Sequence, residues 1–209
     1  GGLWGGFELY QRLLDAEQAV TEYIAPDMSG INQQLAVQAE AVAGLEEDVS
    51  IQFETITTLL ENLQELSRRG LSFDLQLIPE VMEEASFLLQ KVPELKIAIC
   101  HAGSPHDRTA SGIRYWQQAL RFISSLSNTS CKISGLGMFQ HSWNTEDFKV
   151  LVETCLEQFG SKRCMFGSNF PVDSLYSDYM RLFSAIKKLV PEHLHKSVFE
   201  KTATSFYKV

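Results

Sequence analysis

The residues able to do chemistry stand where apolar runs break off. Cys164, Met165 and Phe166 form a short apolar run without helical period; Gly167 and Ser168 interrupt it, and Asn169, Pro171 and Asp173 come next. Such a run reads as a buried strand ending in a tight turn, and parallel α/β folds place chemistry at the carboxyl ends of their strands. The run 95–100 (LKIAIC) leads into His101, with Asp107 and Arg108 shortly after. The run 129–133 carries Lys132 and meets Ser134-Gly135-Leu136-Gly137, with His141 beyond. Residues 71–78 (LSFDLQLI) alternate, so Asp74 and Gln76 share one face and Phe73, Leu75 and Leu77 the other.

These types define a chemistry. Asn169 donates a hydrogen bond but, being neutral, accepts no proton. His101 works as base, acid or ligand. Inside a small barrel an inward polar residue near the top, as Asp74 or Gln76 would be, points at the ligand space. Each residue also has a purely structural reading. His101 could be satisfied by a backbone partner, and Lys132 could pack its stem and pair its amine. Asp107 and Arg108 could form a surface ion pair, and Asn169 could close a turn. Trp116, Trp143 and Phe170 read as packing, and His106, His193 and His195 as surface.

Periodicity indicates the elements that would position these groups. Helices are expected over 79–91, with Pro79 near the first position, and over 112–126, with Ile113, Trp116, Leu120 and Ile123 inward. Further helices are expected over 145–159, capped by Thr145 with Glu146 and Asp147 in the first turn, and over 176–189 and 191–206. Four strands alternating with helices imply a parallel sheet, and right-handed crossovers make it half of a (β/α)8 barrel. Residues 1–69 differ. Their apolar residues recur at three and four (Leu9, Leu13, Leu14; Leu45, Val49, Ile56, Leu59, Leu60, Leu63, Leu66), as in amphipathic helices. A break falls near Pro26, Ser29 could cap the next helix, and 35–39 could alternatively be a short strand. Gly70, after Arg68 and Arg69, reads as a helix stop. The fold class is therefore α/β, the C-terminal half of a TIM barrel over 70–209 behind a mainly helical segment, 1–69.

Composition excludes several classes. The 209 residues are 44% hydrophobic and 21% charged, which suits a globular core. A net charge of −8 argues against a nucleic-acid surface. No apolar run of about 18 residues is present for a membrane span, and GGLWGGFELY lacks the pattern of a signal peptide. Cys100, Cys131, Cys155 and Cys164 show no C-x-x-C spacing, so a reducing cytoplasm without disulfides is expected.

Three motifs in order, CHAGSPHDRT, CKISGLG and FGSKRCMFGSNFPVD, resemble the amidohydrolase-related family of TIM-barrel hydrolases. The nearest likeness is to its sugar-acid lactonase branch. GLSFDLQ is similar to the strand that precedes the first motif there, and FEKTATSFYKV to the family's last helix. The likeness runs from about Leu66 to Val209. It implies hydrolysis of a small lactone or related carboxylic derivative, with His101, Asn169, Asp173 and Asp74 in catalytic roles and Lys132, Arg108, Gln76 and His141 binding substrate. Two departures matter. The H-x-H strand that supplies metal ligands in such hydrolases has no counterpart, since all five histidines lie at or after position 101. Asn169 stands where many relatives carry Asp. Neither a metal nor another cofactor is therefore expected. The alternative is a non-catalytic, truncated or fused half-barrel acting in self-association.

Overall fold

A computed structural model describes residues 31–209; the helix read around Leu9, Leu13 and Leu14 and the cap at Ser29 lie outside them. The chain divides into two units, 1–62 and 63–209. Helix α1 (Ile31–Arg68) is the described part of the first unit and continues into the second. It includes 35–39, which is helix and not strand. Leu35, Ala36, Gln38 and Ala39 all favour helix, and Val37 alone is β-branched. The helix ends as its sequence requires: Gly70 takes a positive φ of 66°, and the Leu71 N–H reaches back to the Leu66 carbonyl at 3.0 Å. Glu65 binds Arg68 and Arg69 beside that end. Among the described residues no helix is long and apolar enough to cross a membrane.

The second unit is built on four parallel strands, β1 (Ser72–Leu75), β2 (Lys96–Ile99), β3 (Thr129–Ile133) and β4 (Cys164–Phe166), in that spatial order. Crossovers run through α2 (Met82–Leu89), α3 (Ala110–Ser124) and α4 (Lys149–Phe159), and α5 (Tyr179–Leu189) comes after β4. A π-helical turn, Ser197–Lys201, leads into α6 (Thr202–Tyr207). Strand β1 is shorter than its alternation promises, because Leu75 is the last residue with a partner, Ile99 of β2. The cap expected at Thr145 belongs to Asn144. Its side chain accepts from the Glu146 N–H at 2.9 Å, while Asp147 accepts the Asn144 N–H at 2.7 Å, a capping box ahead of α4. The helix expected from 176 starts at Tyr179, where Asp178 accepts the Arg181 N–H.

Register separates the two faces of the sheet. Ile99, Cys131 and Cys164 are aligned, and Cys131 and Cys164 meet Cys155 of α4. Ile97, Ile99, Cys131, Ile133 and Cys164 are withdrawn from water on this outer face. Asp74 pairs with Ala98, and Lys132 with Met165, on the inner face. Helix α6 lies across that face: Phe206 packs against Ala98 and Met165, and Lys96 donates to the Ser205 carbonyl at 3.3 Å. Thr202 and Ser197 anchor the segment on the Ser161 carbonyl.

Candidate active site

The turn Ser134-Gly135-Leu136-Gly137, after β3, is where the strand-end residues converge. Gly135 has a positive φ of 59°, and a Cβ there would lie 2.5 Å from His101 Nδ1; only glycine lets the imidazole come so close. His101 lies in the short turn Cys100–Gly103 that follows β2, with a left-handed φ of 54°, and Ala102 and Ser104 beside it are left-handed too. Backbone held this way in non-glycine residues stores strain and clusters at functional sites. The ring is fixed by Ser134, whose Oγ sits 3.1 Å from Nδ1 and also accepts the His101 N–H. Burial pulls the His101 pKa below its ordinary value, aided by Lys132 and opposed by Asp173 and by the bond to Ser134. The imidazole is therefore neutral at neutral pH.

After β4, Asn169 adopts a φ of 57° and donates through Nδ2 to Asp173 Oδ1 at 2.8 Å. The Asp173 N–H returns to the Asn169 carbonyl, so the two form one small loop. Asp173 is 2% exposed. Burial raises its pKa, against the opposing bond from Asn169 and the field of His101. A Cβ on Gly137 would sit 3.0 Å from Trp143 Nε1 and 3.9 Å from Asp173 Oδ2, so the second glycine of the turn makes room for the Trp143 indole beside that carboxylate. Arg108 approaches from the other side and donates from Nη2 to the Leu136 carbonyl at 2.7 Å. Its Nε and Nη1 are buried without a partner. Burial brings its pKa down to about 10, opposed by Asp147, which leaves it charged at neutral pH. A buried guanidinium with two idle donors is suited to an anion.

A second cluster sits on the inner face. Lys132 donates to Asp74 Oδ2 at 2.8 Å, and Tyr207 of α6 donates to Oδ1 at 2.6 Å. Burial disfavours the Lys132 charge, but the Asp74 bond and the neighbouring Cys100 outweigh it and the pKa moves up. The Tyr207 pKa is pushed up to about 12, first by burial and then by its bond to Asp74. The two clusters are adjacent: a Cβ on Gly167 would lie 3.0 Å from Ser134 Cβ and 3.9 Å from Lys132 Cε.

Of the residues the sequence singles out, His101, Asn169, Asp173 and Arg108 gather about one turn, and Lys132 with Asp74 stands beside it. Gln76 stays exposed past the end of β1. His141 stacks on Tyr176, centroids 3.9 Å apart, and reaches the Met138 carbonyl. Asp107 accepts the Thr109 N–H and not an Arg108 ion pair. His195, expected at the surface, contacts the Lys187 and Val190 carbonyls. Trp143 packs on Phe148 and under Arg181, as expected of a packing residue. Ser134 and Tyr207 are site residues that sequence reasoning does not single out. Ser134 is legible as the residue directly after β3; Tyr207, 133 positions from Asp74, carries no local signal.

Among the described residues no three His, Cys, Asp or Glu side chains gather as a metal site. The idle buried donors are guanidinium N–H groups and the Ser104 hydroxyl. A guanidinium repels a cation, so the Arg108 donors would not hold a divalent metal.

A sequence model of the amidohydrolase family matches residues 25–209. The chain belongs to this family. The uncharacterised protein y4mH of Sinorhizobium fredii is 39% identical over 154 residues, 71% of this chain and 51% of that protein. The L-fucono-1,5-lactonase of Burkholderia multivorans is 29% identical over 118 residues, 51% of this chain and 39% of the lactonase. A crystal structure of an amidohydrolase from Burkholderia multivorans, with bound zinc, superposes with a TM-score of 0.67 at 20% identity; it covers 72% of this chain and 57% of that one. The chain thus spans about half the length, or less, of the curated relatives it matches. The fold of the amidohydrolase family is represented here by a part of the barrel, four parallel strands with their helices.

Proposed function

We propose that this chain hydrolyses a small lactone or related carboxylic derivative and needs no metal to do so. The observation that carries the reading is the meeting of three unlike groups at one turn: a buried carboxyl held by Asn169, a neutral histidine, and a buried guanidinium with two idle donors. The lactonase relative supports the substrate class.

Arg108 and Lys132 bind the anionic part of the substrate. Asp173 takes a proton from water as the water oxygen bonds to the lactone carbonyl carbon. Asn169 and His101 stand near enough to Asp173 to donate to the oxyanion that develops. The ring C–O bond then breaks, the proton on Asp173 passes to the departing alkoxide, and the product is an open hydroxy acid. Asp173 is favoured over Asp74 as the base because both Asp74 oxygens already hold donors.

A lactone panel with direct product detection tests this. Turnover by the chain, absent in a His101→Ala, Lys132→Ala double variant, is the expected result; equal rates in both would sink it. Metal analysis after equilibration with zinc and desalting should leave well under one ion per chain. The half-barrel reading, self-association without catalysis, draws on the incomplete length relative to the family and would be favoured by a dimer that turns over nothing.

A further inference from the structure

A lysine that binds an anionic substrate must keep donors free for it, yet Lys132 already faces a carboxylate, Asp74, at 2.8 Å. A carboxylate with two free oxygens would hold the ammonium closely and compete with any anionic substrate. Here one oxygen is taken. Tyr207 donates to Oδ1 at 2.6 Å, and its ring centroid stands 5.8 Å from Lys132 Nζ. The phenol cannot drift, because Phe206 is packed on Ala98 and Met165 and Thr202 is tied to the Ser161 carbonyl. An ammonium has three donors; Asp74 takes one, and the Tyr207 oxygen stands close enough to take a second.

We infer that Tyr207 is a positioning residue for Lys132. By occupying one oxygen of Asp74 it stops that carboxylate from capturing the ammonium with both, and leaves a remaining N–H donor to an anionic substrate. The groups facing Lys132 are Asp74 from β1, Cys100 after β2 and Tyr207 from α6, each of which raises its pKa when ionised, so the effect inferred here belongs to the neutral phenol and its bond to Asp74; His101 is within reach of the Lys132 field. The inference rests on the lactone-hydrolase reading for its consequence, but not for its geometry.

Opposite responses of Lys132 to two variants provide the test. Tyr207→Phe keeps the ring and its packing but returns the full carboxylate to Lys132, so the amine should titrate higher. Asp74→Asn removes the carboxylate, so it should titrate lower. Carbon-13 NMR of the lysine-labelled chain reads both, and a change of about one pK unit, a tenfold change in the protonation equilibrium, is the scale expected for one such contact. In Tyr207→Phe, Asp74→Asn the double variant should titrate as Asp74→Asn alone, since the phenol acts through Asp74. With an anionic lactone, Tyr207→Phe should raise KM roughly tenfold while kcat holds, the pattern of lost ground-state binding. An unmoved Lys132 in Tyr207→Phe, or a downward shift, overturns the inference even if lactones are hydrolysed. If the shifts appear and no lactone turns over, the placement of Tyr207 stands and the reaction assigned to the site falls.

Discussion

The two faces of the sheet are made by alternate residues of the same four strands, and among the described residues only the inner one carries an ion pair beside its apolar residues. On the outer face Ile97, Ile99, Cys131, Ile133 and Cys164 are sealed from water. On the inner face Asp74 and Lys132 remain partly exposed, with side chains 44% and 23% accessible, and Phe206 and Tyr207 of a single short helix reach over them. Close packing without polar atoms is what stabilises a fold; a half-exposed ion pair contributes little. The outer face therefore carries the stability, and the inner face and the strand ends carry groups whose presence stability does not explain.

Mutations can break that contrast or sharpen it. Ile99→Ala should have the largest effect on folding, a loss of about 2–5 kcal/mol in urea unfolding, through lost burial and a cavity. A loss of well under 1 kcal/mol would mean that the outer face is not the core. Gly135→Ala comes next. It forces a side chain into left-handed backbone and against the His101 ring, for about 1–3 kcal/mol, and should lower turnover by moving the imidazole. Lys132→Met should cost stability no more than about 1 kcal/mol while weakening an anionic substrate far more; equal damage to both would assign Lys132 to structure. The smallest effect belongs to His101→Gln and is one of pH. Burial holds the folded His101 pKa below that of the unfolded chain, so the unfolded state binds the proton first as pH falls. Stability should be intact above the ordinary histidine value, about 6.5, and decline below it as pH approaches the folded value. In His101→Gln that part of the decline should be missing from thermal melts.

The same division governs how much of the molecule is legible in its sequence. Strand β3 has the limits its sequence predicts, since 129–133 is bounded by Asn128 on one side and by Ser134 and Gly135 on the other. The strand-end positions of His101, Asn169 and Asp173 are legible too, because breaker residues mark where strands stop. The cap at Asn144 lies one residue from its expected place, as two neighbouring polar residues both suit the role. A paired amine is one of two readings open for Lys132 from sequence, and the structure supplies Asp74 as the partner; Tyr207 is out of reach. Local patterns carry propensity and period, whereas a contact between the first strand and the last helix depends on how the whole unit closes.

The central claim is that Asp173, buried beside Asn169 and His101, is the base that activates water. The most direct measurement is kcat against pH for a hydrolysed lactone, in the wild-type chain and in Asp173→Asn. Because burial raises the Asp173 pKa, and the base must be ionised, the acid limb of the wild-type profile should fall above the ordinary aspartate value of about 3.9. In Asp173→Asn the rate should drop by about 10²–10⁴ and that limb should vanish. A variant that keeps both the rate and the limb would contradict the account.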